Sequence, residues 1–216
     1  MKGYRDELYI QLYTSQNDKW REGILLKAKS EAPDGLAELV NIRLAAEGLS
    51  VLEYFSDGAP ELISRQIVEF LASKGCKVHY SPPYTPERNG LSEISKRIIW
   101  EAAHAMMLNT CLPLMFWTYA VMYAIVINNF LPTNTALGWM SPYQARYGKV
   151  PDVSVFRTFG CVAYIRIDQS LRDKTLVDKA YKGYFIGLKW PLVDIFLCLC
   201  RSWRKGWSLR MCCMTK

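Results

Sequence analysis

The chain has 216 residues, half of them hydrophobic, and a formal charge of +7. That length supports one full domain and a small second one. Five Lys or Arg against one Asp fall in the last 26 residues, so most of the excess charge belongs to the tail and the basic balance is weak evidence for nucleic-acid binding by the body. Seven scattered Cys suggest no disulfide framework and fit a reduced intracellular setting, and no N-terminal signal peptide is visible.

Leu8 to Tyr13 and Ile24 to Lys27 read as strands joined by the polar stretch Thr14 to Lys19. Ser30 with Asp34 reads as a helix start, followed by Leu36, Leu39, Val40, Leu44 and Ala45 on roughly one face, with Gly48 as the stop. Val51 to Ser56 is apolar enough for a buried parallel strand, and Asp57-Gly58 turns out of it. A helix over about Leu62 to Lys74 places Ile63, Ile67, Phe70 and Leu71 at helical spacing. Lys77 to Ser81 is a further β-type run. It leads into a loop built from Pro82, Pro83, Pro86, Asn89 and Gly90, and a helix follows from near Leu91. In that helix Leu91, Ile94, Ile98, Ala102, Ala105 and Leu108 form a stripe expected to face the core, and Glu93 falls off it. His79 reads as a strand residue and His104 as a core histidine.

Ala102 to Ala145 contains no Asp, Glu, Lys or Arg, and Leu112 to Ile127 is nearly all apolar or aromatic. The run is shorter than the roughly 18 to 20 apolar residues of a membrane span. Pro113 at its start and Asn128-Asn129 at its end are ordinary helix boundaries, so a buried core helix is the expectation. Ser141-Pro142 starts one more short helix, closed by Gly148. Phe159 to Ile167 and Tyr181 to Leu188 read as strands. Residues 191–216 show no strand alternation and no turn signals. Cys198, Cys200, Cys212 and Cys213 lack the C-x-x-C spacing of a zinc site.

A carboxylate at a strand end and a second on a helix, brought together by the fold, is how a protein holds divalent metal for phosphoryl transfer. Asp57 and Glu93 are separated by 35 residues, and between them stands Pro83-Tyr84-Thr85-Pro86-Glu87-Arg88-Asn89-Gly90-Leu91-Ser92-Glu93. At these residues the chain resembles the integrase segment of copia-type LTR retrotransposon polyproteins, within the retroviral-integrase superfamily. The resemblance runs from about Lys27 to Leu188. It includes Phe159-Gly160-Cys161 and Asp178-Lys179-Ala180-Tyr181-Lys182-Gly183-Tyr184-Phe185-Ile186-Gly187, which are similar to the start of that family's SH3-like module. The chain departs from the family pattern at Asp57-Gly58-Ala59-Pro60-Glu61, where Asn usually follows the Asp, and at Ile94 and Lys96.

The resemblance implies an α/β, RNase H-like mixed sheet flanked by helices over residues 1–150. Counting back from Asp57 puts the family's first strand, with its first catalytic Asp, before Met1; Asp6 and Asp18 are the Asp residues nearby, either a replacement for that ligand or, more simply, solvated loop residues. A partial SH3-like β module over 151–190 would follow, and then an unrelated tail over 191–216, whose Cys and Trp content suggests a disordered or frameshifted segment. By the same resemblance Asp57 and Glu93 are catalytic and metal-binding, toward Mg²⁺ or Mn²⁺, and Tyr84, Asn89, Lys96 and Arg97 meet DNA. The implied chemistry is 3′-end processing and strand transfer. The implied partners are retroelement ends, target DNA and a second copy in a homo-oligomer, in nucleus or cytoplasm, with no membrane. A chain with two of three acids is expected to be inactive alone. The other readings are a non-catalytic DNA- or protein-binding module and a small membrane-associated protein using residues 112–131 and the apolar tail.

Overall fold

The computed structural model describes residues 1–56, 64–80, 86–166, 180–189, 192–202 and 206–213; the side chains of 86–89, 166, 189, 192–197, 199–202 and 206–213 stand outside that description. The chain divides into two units. One is Met1–Gln16 with Glu22–Ile98, the other Asn17–Arg21 with Ile99–Lys216.

In the first unit, β1 (Tyr9–Thr14) pairs with β2 (Arg21–Leu26). A 3₁₀ turn at Lys29–Glu31 opens α1 (Ala32–Glu38), and the Glu31 carboxylate accepts a hydrogen bond from the Lys27 N–H at 2.7 Å. The helix continues as a π-type turn over Leu39–Leu44 and stops at Gly48, whose φ of 70° only glycine adopts without strain. Then come β3 (Glu53–Ser56), α2 (Arg65–Ser73) and β4 (Lys77–Tyr80). β3 and β4 are parallel, with Glu53 opposite Lys77 and Ser56 opposite Tyr80. The α2-to-β4 turn closes through Gly75 at φ 72° and a Cys76 N–H to Leu71 carbonyl bond of 3.0 Å. Leu36, Val40, Tyr54, Ile67, Leu71 and Cys76 form one buried cluster, and Ile24, Leu26, Ala32 and Leu39 form another. Burial raises the Cys76 thiol above its ordinary value, with Glu53 acting in the same direction.

Two expectations change here. β3 is buried on one face only: Tyr54 and Ser56 point inward, while Phe55 is 49% exposed. The run Val51 to Ser56 is apolar enough for a doubly covered strand, yet its outer face carries Glu53 and Phe55 over Lys77 and His79. The long helix α3 (Pro86–Leu108) also starts earlier than Leu91. Pro86 is suited to a helix's first turn, since its missing N–H would find no intrahelical partner there. Asn89 and Gly90 therefore belong to the helix rather than the loop.

The buried residues of α3 are Ser95, Ile99 and Ala103, one position off the apolar stripe, while Ile94 and Leu108 are exposed. His104 is exposed and not a core histidine.

The second unit centres on α4 (Trp117–Phe130), which follows a 3₁₀ turn at Leu114–Phe116. Ala120, Val121, Tyr123, Ala124, Ile125 and Val126 are all buried, so this helix is covered nearly all round, as its composition requires. Among the described residues no helix is long and apolar enough to cross a membrane. Asn129 is more than a helix boundary. Its Oδ1 accepts from the Arg21 N–H at 2.9 Å and its Nδ2 donates to the Arg21 carbonyl at 2.8 Å, which satisfies both backbone groups of a buried residue.

A hairpin of β5 (Thr133–Thr135) and β6 (Gly138–Met140) leads to α5 (Pro142–Tyr147). Ser141 caps α5 by accepting from the Gln144 N–H at 3.1 Å, and Gly148 ends it at φ 68°. After a 3₁₀ turn at Val153–Val155 come β7 (Val162–Arg166), β8 (Ala180–Lys189), β9 (Leu192–Ser202) and β10 (Gly206–Cys213). They form an antiparallel sheet in the order β10-β9-β8-β7. Two of these strands lie within 191–216, where no strand was expected. The stretch Ile195 to Cys200 is a continuous apolar run, compatible with a strand, and β9 pairs with β8 on one edge and β10 on the other.

Candidate nucleic-acid and metal site

The in-register parallel pairing of β3 and β4 brings Ser56 and Tyr80 to the same end of the sheet. Asp57 follows Ser56 in the chain, and the segment 81–85 follows Tyr80. A cross-strand pair fixes the last turn of this frame: the Phe55 and His79 rings stack with centroids 4.7 Å apart and planes 12° from parallel. His79 Nε2 lies 3.7 Å from Glu53 Oε2. The sequence concealed this pairing, because it depends on the parallel register and not on local spacing. Ser56 is buried, and its hydroxyl has no hydrogen-bond partner among the described residues.

Asp57 and Tyr84 lie outside the described residues. Asn89 lies in α3, with its side chain outside the description. Glu93, Lys96 and Arg97 are described. All three are exposed on α3, and their spacing of three and four places them on one face, turned away from the buried Ser95 and Ile99. Glu93 and Arg97 form no ion pair with each other among the described residues, so the i, i+4 pairing that the sequence allows is not made. The structure therefore brings one carboxylate and two cations of the sequence-derived set onto one helix face.

Of Asp6 and Asp18, the two Asp residues weighed as replacements for a further ligand, Asp18 is engaged in a largely buried ion pair. Asp6 sits in a turn at φ 68° and pairs with Lys2 at 3.5 Å in solvent. Asp18, expected to be a solvated loop residue, is not one. Its Oδ2 accepts from Arg146 Nε at 2.8 Å and its Oδ1 from the Trp20 N–H at 3.1 Å. Among the described residues no three His, Cys, Asp or Glu side chains are grouped so as to hold a metal ion.

No protein-family model matches the chain. The Pol polyprotein of transposon RE1 from Arabidopsis thaliana, described as retrovirus-related, is 30% identical over 174 residues, 81% of this chain and 12% of that polyprotein. The RE2 counterpart from the same plant is 33% identical over 145 residues, 67% of this chain and 10% of its own length. The chain's homologues are retrovirus-related Pol polyproteins of plant retrotransposons, each matched over a short segment of its length.

This Pol-related chain spans about a tenth of the length of those relatives. A chain of the simian T-cell lymphotropic virus intasome, solved with PP2A regulatory subunit B56 gamma, superimposes with a TM-score of 0.54 at 14% identity, covering 100% of this chain and 76% of that one. The catalytic core domain of BIV integrase superimposes with a TM-score of 0.50 at 18% identity, covering 64% of this chain and 85% of that domain. The fold of the Pol-related chain is the RNase H-like fold of integrase catalytic cores.

Proposed function

We propose that this chain is a DNA-binding remnant of a retrotransposon integrase, ancestrally a metal-dependent DNA-integrating enzyme and inactive by itself. One observation carries the reading: the motif ending in Glu93 opens α3 so that Glu93, Lys96 and Arg97 share an exposed face. Lys96 and Arg97 are suited to phosphate, Arg in a fork and Lys as a point charge. Tyr84 and Asn89 are the further DNA contacts the resemblance nominates.

Glu93 and, by sequence, Asp57 are hard oxygen donors of the kind Mg²⁺ or Mn²⁺ takes. When bound, such an ion polarises a phosphate oxygen and lowers the pKa of its water. This chain's own contribution is to hold the carboxylate of Glu93 in solvent on a rigid helix, with the end of the β3–β4 pair leading to Asp57. Asp18 is held by Arg146 in a largely buried pair, whereas Asp6 makes only an exposed pair with Lys2. A site whose acids act as a unit loses most of its rate when one is missing.

The test is a Mg²⁺- or Mn²⁺-dependent nicking assay and a duplex DNA titration on the purified chain, each repeated with Glu93→Gln. DNA binding without nicking is the expected result. Metal-dependent nicking that Glu93→Gln abolishes overturns the inactivity. No DNA binding at low salt overturns the nucleic-acid reading and leaves a protein-binding module.

A further inference from the structure

Arg146 and Arg21 are two largely buried cations of the second unit, and they differ in how their charge is met. Only 8% of the Arg146 side chain reaches solvent, and it has a carboxylate, Asp18, at 2.8 Å and the Trp20 ring 4.5 Å from its guanidinium carbon. Arg21 is 5% exposed. Among the described residues no carboxylate pairs with its guanidinium, and its Nε is shut off from solvent with no hydrogen-bond partner. Burial alone moves this guanidinium below its ordinary value.

The carboxylates nearest to it in the chain are taken. Asp18 holds Arg146, and Glu22 lies 3.2 Å from Arg43. The main chain of Arg21 is fixed as well, because the Asn129 amide accepts from its N–H and donates to its carbonyl. The start of β2 therefore cannot peel away to carry the charge into water. A buried charge without a counter-charge is strongly unfavourable, whereas one that is paired and hydrogen-bonded is tolerated.

We propose that Arg21 anchors a site for a small oxyanion of the phosphate class, which supplies the counter-charge that the chain does not. The side chain selects the ion: a planar guanidinium fork pairs with two oxygens on one centre, which chloride cannot offer. The 5% of the residue that remains open admits a small ion and not a polymer backbone. The site uses neither Glu93 nor Lys96 and Arg97, so it stands or falls apart from the nucleic-acid reading.

The test is a calorimetric titration of the full chain with inorganic phosphate, at an ionic strength held constant with chloride. Phosphate should bind at a single site. Arg21→Met should abolish that binding, and Arg21→Lys, which keeps the charge without the fork, should weaken it about tenfold. Lys96→Ala with Arg97→Ala should leave it unchanged. Thermal unfolding gives a second readout. In chloride Arg21→Met should be at least as stable as the wild type, because an apolar side chain of similar length replaces an unpaired buried charge. Added phosphate should raise the wild-type midpoint and leave that of Arg21→Met fixed. No phosphate binding by the wild type, or binding that survives Arg21→Met, overturns the site. Displacement of bound phosphate by duplex DNA also overturns it, since it would assign the ion to a polymer-facing surface. So does an Arg21→Met chain that unfolds below the wild type in chloride, since the charge would then be met within the chain.

Discussion

Arg146 and Asp18 meet across 128 positions of sequence at 2.8 Å, with the guanidinium carbon 4.5 Å from the centroid of the Trp20 ring. Tyr147 adds an edge-on contact to the same indole at 5.7 Å. Only 8% of the Arg146 side chain and 18% of the Asp18 side chain reach solvent. The pair thus ties residues 17–21 to α5, and it removes Asp18 from any metal-binding role. Losing one partner would strand a largely desolvated charge. Asp18→Asn should lower stability by about 2–3 kcal/mol in urea unfolding. Asp6→Asn, in an exposed pair at a position where Asn accepts the left-handed backbone, should stay within about 0.5 kcal/mol.

Gly160 stands at φ 77°, and a Cβ there would lie 2.5 Å from Thr110 Cγ2 and 2.8 Å from Thr110 Cβ. The Gly160 N–H donates to the Phe185 carbonyl at 2.7 Å, and the Phe185 N–H donates to the Cys161 carbonyl at 2.9 Å, so the tight turn also sets the start of the β7–β8 pairing. Strain and clash add together. Gly160→Ala should cost roughly 2 kcal/mol or more, read from the thermal midpoint, and Thr110→Ala in the same chain should recover part of the loss.

Tyr123 is buried at the junction of α4 and β8, edge-on to Phe185 at 5.2 Å. Its hydroxyl donates to the Arg157 carbonyl at 2.6 Å and accepts from the Arg157 N–H at 3.1 Å. Burial pushes the phenol from its ordinary value of 10.0 up to about 12. A raised folded value means this stabilisation is complete below pH 10 and is lost as pH rises through about 12. Tyr123→Phe should cost about 1–2 kcal/mol at neutral pH and flatten the fall in stability between pH 10 and 12. Urea unfolding across that range checks both.

Lys96 and Arg97 are exposed and lie on the face opposite the buried Ser95. Replacing both with Ala should leave stability within about 0.5 kcal/mol. It should weaken duplex DNA binding uniformly across sequences and reduce the log–log salt slope by roughly 2. Fluorescence anisotropy over a salt series reads the slope directly. An unchanged slope would remove the nucleic-acid role from this face.

Local signals fixed much of the architecture. Ser141-Pro142 and Gly148 delimit α5 because a hydroxyl cap and a left-handed stop act within one turn of the residue that supplies them. The apolar run through Ile127 makes a buried helix for the same kind of reason: its composition cannot tolerate solvent. The family motif put Glu93 on a helix, where it is exposed. What the sequence could not settle was decided by partners far along the chain. The face of α3 that is buried, the burial of Asp18, the stacking of Phe55 on His79 and the use of residues 192–213 as strands each depend on a neighbour that local spacing does not identify. Propensity and periodicity act over a few residues, whereas desolvation and strand register are settled only when distant segments meet.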